Sequence, residues 1–337
     1  MQQILELSQV LKLISLSMFY YLSVIEMKMG LSRSRYRILV TGAGGPAGIN
    51  VIKQLKRKGH YVVSTDINPY SEGFVLSDKY YLIPPADERE RFIEELERVI
   101  ERESIDLVIP TVDEEIAVLA NNEIKYRKKI ILHPKETVDV CLNKLRTYEY
   151  FSNKIPELIP EYSDDPKDLK SEIIVKKPIR GRGSRGILIG NKSEFRKEEG
   201  YFFVEYLPGR EWTVDAVTDK NGKLFIAIPR VRLKARSGVS VIGEVKMDRK
   251  VIVYVEKITE FLKFTGGFNV QFREDSNGEI KLQEINLRFS GGLDITEAAG
   301  VNLPHILVSI WMGKKMRSKV SIREGIYVKI HRVYRWK

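Results

Sequence analysis

Four polar residues, Gln271, Glu284, Asn286 and Arg288, lie in the stretch NVQFREDSNGEIKLQEINLRFSGG, Asn269 to Gly292. Two alternating runs flank Asp275-Ser276-Asn277-Gly278, and Asn-Gly supplies the positive φ angles of a tight turn, so the stretch predicts a hairpin. Period-two alternation puts Leu282, Glu284, Asn286 and Arg288 on one face of the second strand and Gln283, Ile285, Leu287 and Phe289 on the other. Asn269 and Gln271 share a face of the first strand, and the hairpin sets Gln271 beside Glu284. Oxygen ligands from Glu284, Asn286 and Gln271 suit a hard cation such as Mg²⁺, and the guanidinium two positions on suits the phosphate oxygens such a cation accompanies. A solvated edge hairpin with Ile285, Leu287 and Phe289 as its apolar face gives the same alternation.

Upstream, EIIVKKPIRGRGSRGILIG reads as a strand delivering Lys177 and a loop, Gly181, Gly183, Ser184 and Gly186, with the backbone freedom to wrap amides around phosphates. No G-K-[ST] ends it, so it is not a Walker loop; Arg182 and Arg185 favour an anionic ligand over an ordinary glycine-rich hairpin. In FFVEYLPGREWTVDAV an apolar strand, Tyr201 to Val204, runs into Glu205-Tyr206-Leu207, a Pro-Gly turn, Glu211 and a further strand. Arg230 and Arg232 fall on one face of a strand or its exit, in a chain where basic residues are common.

These residues need elements to position them. RILVTGAGGPAGINVIKQLKRKGHYVVSTDIN predicts a βαβ unit: an apolar strand from Ile38 to Thr41, a glycine turn, a helix bearing Ile49, Ile52 and Leu55, and a strand ending at Asp66. Helix RFIEELERVIERESI, a third strand ending at Pro110 and a fourth in KKIILHP extend it to a parallel sheet with helices on both faces. Gly42, Gly45 and Gly48 with Asp66 are what an NAD-binding Rossmann domain shows, and Tyr150 and Lys154 match the Y-x-x-x-K of extended short-chain dehydrogenases. Ile155-Pro156 follows at once, putting Lys154 at a helix end, unlike the pair in a long helix. Thr111, Asp113 and Glu114, at the carboxyl end of the third strand, lie where open α/β sheets place ligands.

N-V-Q-F followed by Q-E-I-N-L-R-F-S-G-G resembles the metal and phosphate strand pair of the ATP-grasp superfamily, in the form found in the carbamoyl phosphate synthetase large chain and its single-copy relatives. The resemblance implies Mg²⁺ (or Mn²⁺) at Gln271, Glu284 and Asn286, and γ-phosphate at Arg288. It extends to CLNKLRTYEYF, where Lys144 reaches a nucleotide phosphate, and to the Lys177 strand with its phosphate loop at Gly183 and Ser184. It also implies adenine against Glu205, Tyr206 and Leu207, largely through backbone, and ribose on Glu211, although the turn between these carboxylates is one residue shorter than in the synthetase. The segment LDITEAAGVNLPHILVSIWMGK, with Pro304 at a helix start, is similar to the synthetase tail. The implied fold is α/β and α+β: a Rossmann-like parallel sheet (36–135) followed by a two-lobed ATP-grasp fold, the lid lobe over 136–205 and the lobe with the metal site over 206–337. The implied function is an ATP-dependent ligase that phosphorylates a small-molecule carboxylate and passes the acyl group to an amine, with Arg288, Lys177 and Lys144 as the catalytic cations. The 337 residues hold one such module where the synthetase has two, so a carboxylate other than that of carbamoyl phosphate synthesis is expected.

A 337-residue chain that is 43% hydrophobic buries a large core in two or three subdomains. One cysteine, Cys141, excludes an intramolecular disulfide and fits a reducing cytoplasm. The net charge of +11 is spread among abundant Glu without an RNA-binding aromatic motif, so it predicts a basic surface that draws anionic substrates and no nucleic acid partner. Residues 1–35 stand outside the fold pattern: the uncharged run Leu13 to Ile25 is too short to span a bilayer, and Met27 and Met29 suggest an over-long reading frame or a loose helix. No membrane partner is expected, and a homo-oligomer is compatible with all of this. Two rivals remain: an NAD(P) oxidoreductase using Gly42 to Gly48, and a non-catalytic ATP-binding subunit.

Overall fold

Ile38, Leu39 and Val40 are fully buried, as a strand covered on both faces must be. They lie in Arg37–Thr41 (β1), followed by Pro46–Arg57 (α1), Tyr61–Asp66 (β2), Lys79–Leu82 (β3), Arg89–Arg102 (α2), Leu107–Ile109 (β4) and Asp113–Asn121 (α3). The strands form an all-parallel sheet in the order β3-β2-β1-β4. Helix α2 turns Phe92, Leu96, Val99 and Ile100 inward, the spacing of an amphipathic helix. The expected fourth strand in KKIILHP makes only an isolated parallel bridge, Val108 to Ile130. The fourth place belongs to β3, an edge strand whose Lys79, Tyr80 and Leu82 are exposed, so no apolar run announces it.

The computed structural model describes residues 35–181, 183, 185–314, 320–330 and 333–336. The expectations for the apolar run Leu13 to Ile25 and for Met27 and Met29 fall outside the described residues.

Lys135–Cys141 (α4) and Lys144–Ser152 (α5) lead into Tyr162–Ser163 (β5), Ile173–Pro178 (β6), Leu188–Asn191 (β7) and Tyr201–Glu205 (β8), an antiparallel sheet ordered β5-β8-β6-β7. The remainder comprises Glu211–Thr218 (β9), Leu224–Arg236 (β10), Val239–Val245 (β11), Arg249–Phe261 (α6), Gly267–Glu274 (β12), Ile280–Asn286 (β13), Leu293–Ala298 (α7), Leu303–Trp311 (α8) and Gly325–Val328 (β14). Its strands form a second antiparallel sheet, β13-β12-β9-β10-β11-β14. Among the described residues no helix is long and apolar enough to cross a membrane.

Polar contacts tie the parallel sheet to the exit of the β12–β13 hairpin. On α1 the Asn50 amide donates to Gly291 O at 2.9 Å and the Gln54 amide to Leu293 O at 3.1 Å. The Asn302 amide, just before α8, donates to Gln54 O at 2.9 Å. The same exit loop is fixed from below by a buried ion pair: Asp215 Oδ2 accepts from Arg230 Nη2 at 2.8 Å and from Thr296 Oγ1 at 3.0 Å, while Oδ1 accepts from the Ser290 amide at 3.2 Å. Paired and hydrogen-bonded, the two charges can lie in the core.

Candidate active site

The hairpin forms with its expected turn: Gly278 has φ of +77°, and Asp275 Oδ1 accepts from the Asn277 and Glu279 amides. Gln271 pairs with Glu284, as expected, and Asn269 with Asn286. One feature departs from strict alternation. The pairing steps from Gln271–Glu284 to Phe272–Leu282, so Gln283 is an extra, unpaired residue in β13. Leu282, assigned by alternation to the polar face, is fully buried with Phe272 in the core, while Gln283 and Glu284 both line a cleft of about 1230 Å³.

Tyr148 holds this bulge. The side chain is fully buried on α5, and its hydroxyl contacts the carbonyl oxygens of Leu282 at 2.9 Å and of the extra residue Gln283 at 3.1 Å. Lys177 Nζ donates to the same oxygen at 3.4 Å. Lys144 stands one helical turn before Tyr148, at the first position of α5, where Asn143 Oδ1 caps the helix by accepting from the Arg146 amide at 2.9 Å. Lys144 Nζ reaches Glu284 Oε2 at 3.3 Å, and the Asn286 amide donates to Glu284 Oε1 at 3.0 Å.

Burial acts first on both charges here, in opposite directions. It raises the Glu284 carboxyl, but Lys144, the Asn286 amide, Lys177 and Arg288 outweigh it and hold the group below its ordinary value. It lowers the Lys177 ammonium to about 8, a fall eased by Glu284 and deepened by Lys144. Glu284 is thus an anion whose side chain keeps 25% of its surface open to the cleft.

Arg288 lines the cleft and is oriented from the parallel sheet: Nε donates to Asp113 Oδ1 at 3.0 Å and Nη2 to Asp113 Oδ2 at 3.3 Å. Asp113, in the first turn of α3, was expected only as a pocket candidate. Lys144, Lys177, Gln271 and Asn286 line the same cleft, as do Gly183, Glu205, Tyr206, Leu207 and Glu211. Gly183 has φ of +66°, available to glycine at little cost. Ser184 and Arg182 fall outside the described residues. The side chain of Glu205 is committed to structure, its Oε1 accepting from the Glu161 amide at 2.8 Å; the Tyr206 amide likewise donates to Ile173 O at 3.1 Å. Glu211 is ion-paired with Arg232.

The glycine turn of the parallel sheet opens on the same cleft but is shaped by packing. A Cβ on Gly48 would lie 2.2 Å from Gly42 O, so this glycine lets α1 approach the turn. Asp66, the expected ribose partner of NAD, accepts from the Gly44 amide at 2.8 Å and from the Asn68 amide at 2.9 Å. Its carboxylate stands on the amide a pyrophosphate would need. Tyr150 and Lys154 do not line the cleft; the Tyr150 hydroxyl donates to Phe261 O at 2.7 Å.

Among the described residues no cluster of three or more His, Cys, Asp or Glu is built to hold a metal. The donor set of one carboxylate, Glu284, with the amides of Asn286 and Gln271 is all-oxygen and fits a hard cation that shares its coordination with phosphate.

Two family models match the chain, one described as PylC-like, N-terminal domain, over residues 38–132, the other as ATP-grasp in the biosynthetic pathway with Ter operon, over residues 197–333. A search among curated proteins returns no match. Among solved structures the chain is similar to N5-carboxyaminoimidazole synthetase from Staphylococcus aureus, at 15% identity over 86% of this chain and 80% of that chain, with a TM-score of 0.66. It is similar to the biotin carboxylase domain of Hydrogenobacter thermophilus 2-oxoglutarate carboxylase, solved with MgADP, ADP and bicarbonate, at 17% identity over 87% of this chain and 73% of that chain, TM-score 0.66. The L-amino acid ligase from Bacillus licheniformis matches at 14% identity over 82% of this chain and 74% of that chain, TM-score 0.59. Both kinds of comparison give one class of protein, an ATP-grasp fold behind a Rossmann-like domain. Residues 197–333, which include the hairpin motif, match the ATP-grasp model, and the chain shares the fold of these ATP-grasp structures.

Removing the hydroxyl in Tyr148→Phe takes away the one donor that the Leu282 and Gln283 carbonyls share, at a cost of about 1–3 kcal/mol in urea unfolding. An unchanged unfolding midpoint would show that the bulge stands without Tyr148.

Proposed function

We propose that this chain is an ATP- and Mg²⁺-dependent ligase that activates a small-molecule carboxylate as an acyl phosphate and joins it to an amine. The observation that carries this reading is the convergence of Lys144, Lys177 and Arg288 on Glu284, Asn286 and Gln271 in one cleft. Three cations against two carboxylates, Glu284 and Asp113, leave positive charge unspent, which is what a triphosphate requires. In the first step a carboxylate oxygen of the substrate attacks the γ-phosphorus, the bond from that phosphorus to the bridging oxygen breaks, and ADP leaves with the electron pair. In the second the amine nitrogen attacks the acyl carbon, inorganic phosphate departs, and the proton lost from nitrogen goes to the phosphate or to solvent.

Lys144, Lys177 and Arg288 spread positive charge over the oxygens of the transferring group, and Asp113 keeps the Arg288 guanidinium from swinging away. Mg²⁺ held by Glu284, Asn286 and Gln271 would neutralise further charge on the phosphate oxygens. Glu211 would take the ribose hydroxyls, and the Glu205–Leu207 backbone the adenine edge.

Hydroxylamine in place of the amine converts an acyl phosphate to a hydroxamate, so a screen of carboxylates with ATP and Mg²⁺ identifies the substrate class without knowing the amine. Glu284→Gln, correctly folded, is expected to lower hydroxamate formation by about a hundredfold or more; full turnover in the variant removes Glu284 from the site.

The Lys177 value of about 8 gives a second test. Phosphates beside this ammonium draw its value back up, so nucleotide binding at pH 8 takes up roughly half a proton, and affinity falls as pH rises from 8 towards the raised value. Calorimetry in buffers of differing ionisation enthalpy reads the uptake; no uptake at pH 8 contradicts a phosphate at Lys177.

A further inference from the structure

Leu287 and Arg288 lie just past the end of β13. Each of the two peptide planes that meet at the Arg288 Cα is held there by a side chain. The Leu287 carbonyl shares its plane with the Arg288 amide, and His133 Nε2 bonds to that carbonyl at 3.2 Å. The Arg288 carbonyl accepts from Asn269 Nδ2 at 2.8 Å, and Asn269 Oδ1 accepts from Asn286 Nδ2 at 3.3 Å. His133 can meet Leu287 in only one way. It is 3% exposed, and its Nδ1 accepts from the Thr265 amide at 3.1 Å. A backbone amide only donates and a carbonyl only accepts, so Nδ1 is bare and Nε2 carries the proton. Burial lowers the ring's value to about 4, which keeps it neutral at ordinary pH. The ring stands edge-on to Phe264 and Phe268, and the Thr265 hydroxyl fastens the backbone before it, donating to Leu132 O at 2.7 Å.

From this we infer that His133 is a positioning residue for Arg288: through the Leu287 carbonyl it fixes the peptide plane from which that side chain leaves the backbone. What Arg288 then does at a γ-phosphate rests on the ligase reading; the hold on Arg288 does not. Asp113 orients the far end of the same side chain. His133 follows the isolated bridge at Ile130 and precedes α4, and Asp113 opens α3, so both anchors come from the Rossmann-like domain. That domain thereby sets the backbone and the guanidinium of a cation carried by the other sheet. A buried imidazole among aromatic rings is costly unless its nitrogens are paired, and here one nitrogen takes a fixed donor while the other serves Arg288's own peptide plane.

The unmodified protein supplies the first test, since its four histidines keep the imidazole ¹⁵N spectrum simple. Expected is a neutral ring with protonated Nε2 and bare Nδ1, whose signals vanish in His133→Gln; the opposite tautomer, or an imidazolium at neutral pH, overturns the inference. Two variants then separate positioning from packing. His133→Asn offers an amide oxygen near the Nδ1 position for Thr265 and loses the donor to Leu287, whereas His133→Gln offers a nitrogen near the Nε2 position and loses the acceptor. Each gives up one buried hydrogen bond, so stability falls in both, but Arg288 responds to one alone. The Nε–H signal of Arg288, identified by its loss in Arg288→Lys, is expected to exchange with water about tenfold faster in His133→Asn and to keep its rate in His133→Gln. With Mg²⁺ present, the preference for ATP over ADP falls about tenfold in His133→Asn only. An Arg288 signal unchanged in His133→Asn, or altered equally in both variants, overturns the positioning role. If the parent protein binds neither nucleotide while the Arg288 signal follows the split, the positioning stands and the ligase reading falls.

Discussion

The site depends on one phenolic hydroxyl. Tyr148 lies on the helix that begins with Lys144, touches the carbonyls of Leu282 and of the extra residue Gln283 in β13, and accepts from Lys177 of the small antiparallel sheet. Three separate pieces of chain are thereby set against one another by a group with no freedom to move in the core. The bulge matters because it turns Gln283 and Glu284 together towards the cleft while returning Leu282 to the interior. Without it the period-two pattern would have to choose between a buried leucine and an open carboxylate.

Charge is arranged with the same economy. Glu284 is kept ionised against the pull of burial by the cations around it, and Lys177 is left poised near neutrality by that burial. Such a cluster holds surplus positive charge on largely buried side chains, where fixed charges act more strongly than in water. Arg288 is pre-oriented by Asp113, so the parallel sheet contributes directly to the cation cluster.

What was legible in the sequence was what local pattern encodes. The Asn-Gly turn, the facing of Gln271 and Glu284, the Lys177 strand and the parallel sheet all follow from turn chemistry and alternation. What was not legible arose between distant segments or from a single irregular residue. The Arg288–Asp113 pair joins residues 175 apart, and nothing near Asp113 marks it as more than a helix-start acid. The bulge at Gln283 is one residue long and is stabilised from α5, outside the hairpin's own sequence. Strand β3 was missed because an exposed edge needs no apolar run. The glycine fingerprint misled in the usual way of short motifs: Gly48 serves close packing, and Asp66 is spent on the Gly44 amide.

If the β12–β13 hairpin and the cations around it form a metal-nucleotide site, calorimetric titration with ATP reveals it before any substrate is known. ATP binding that requires Mg²⁺ and weakens in Glu284→Gln is expected, with NAD(H) inert as the control ligand. Binding of NAD(H) with no response to ATP would contradict it, making the hairpin a polar sheet edge and the glycine turn after β1 the site.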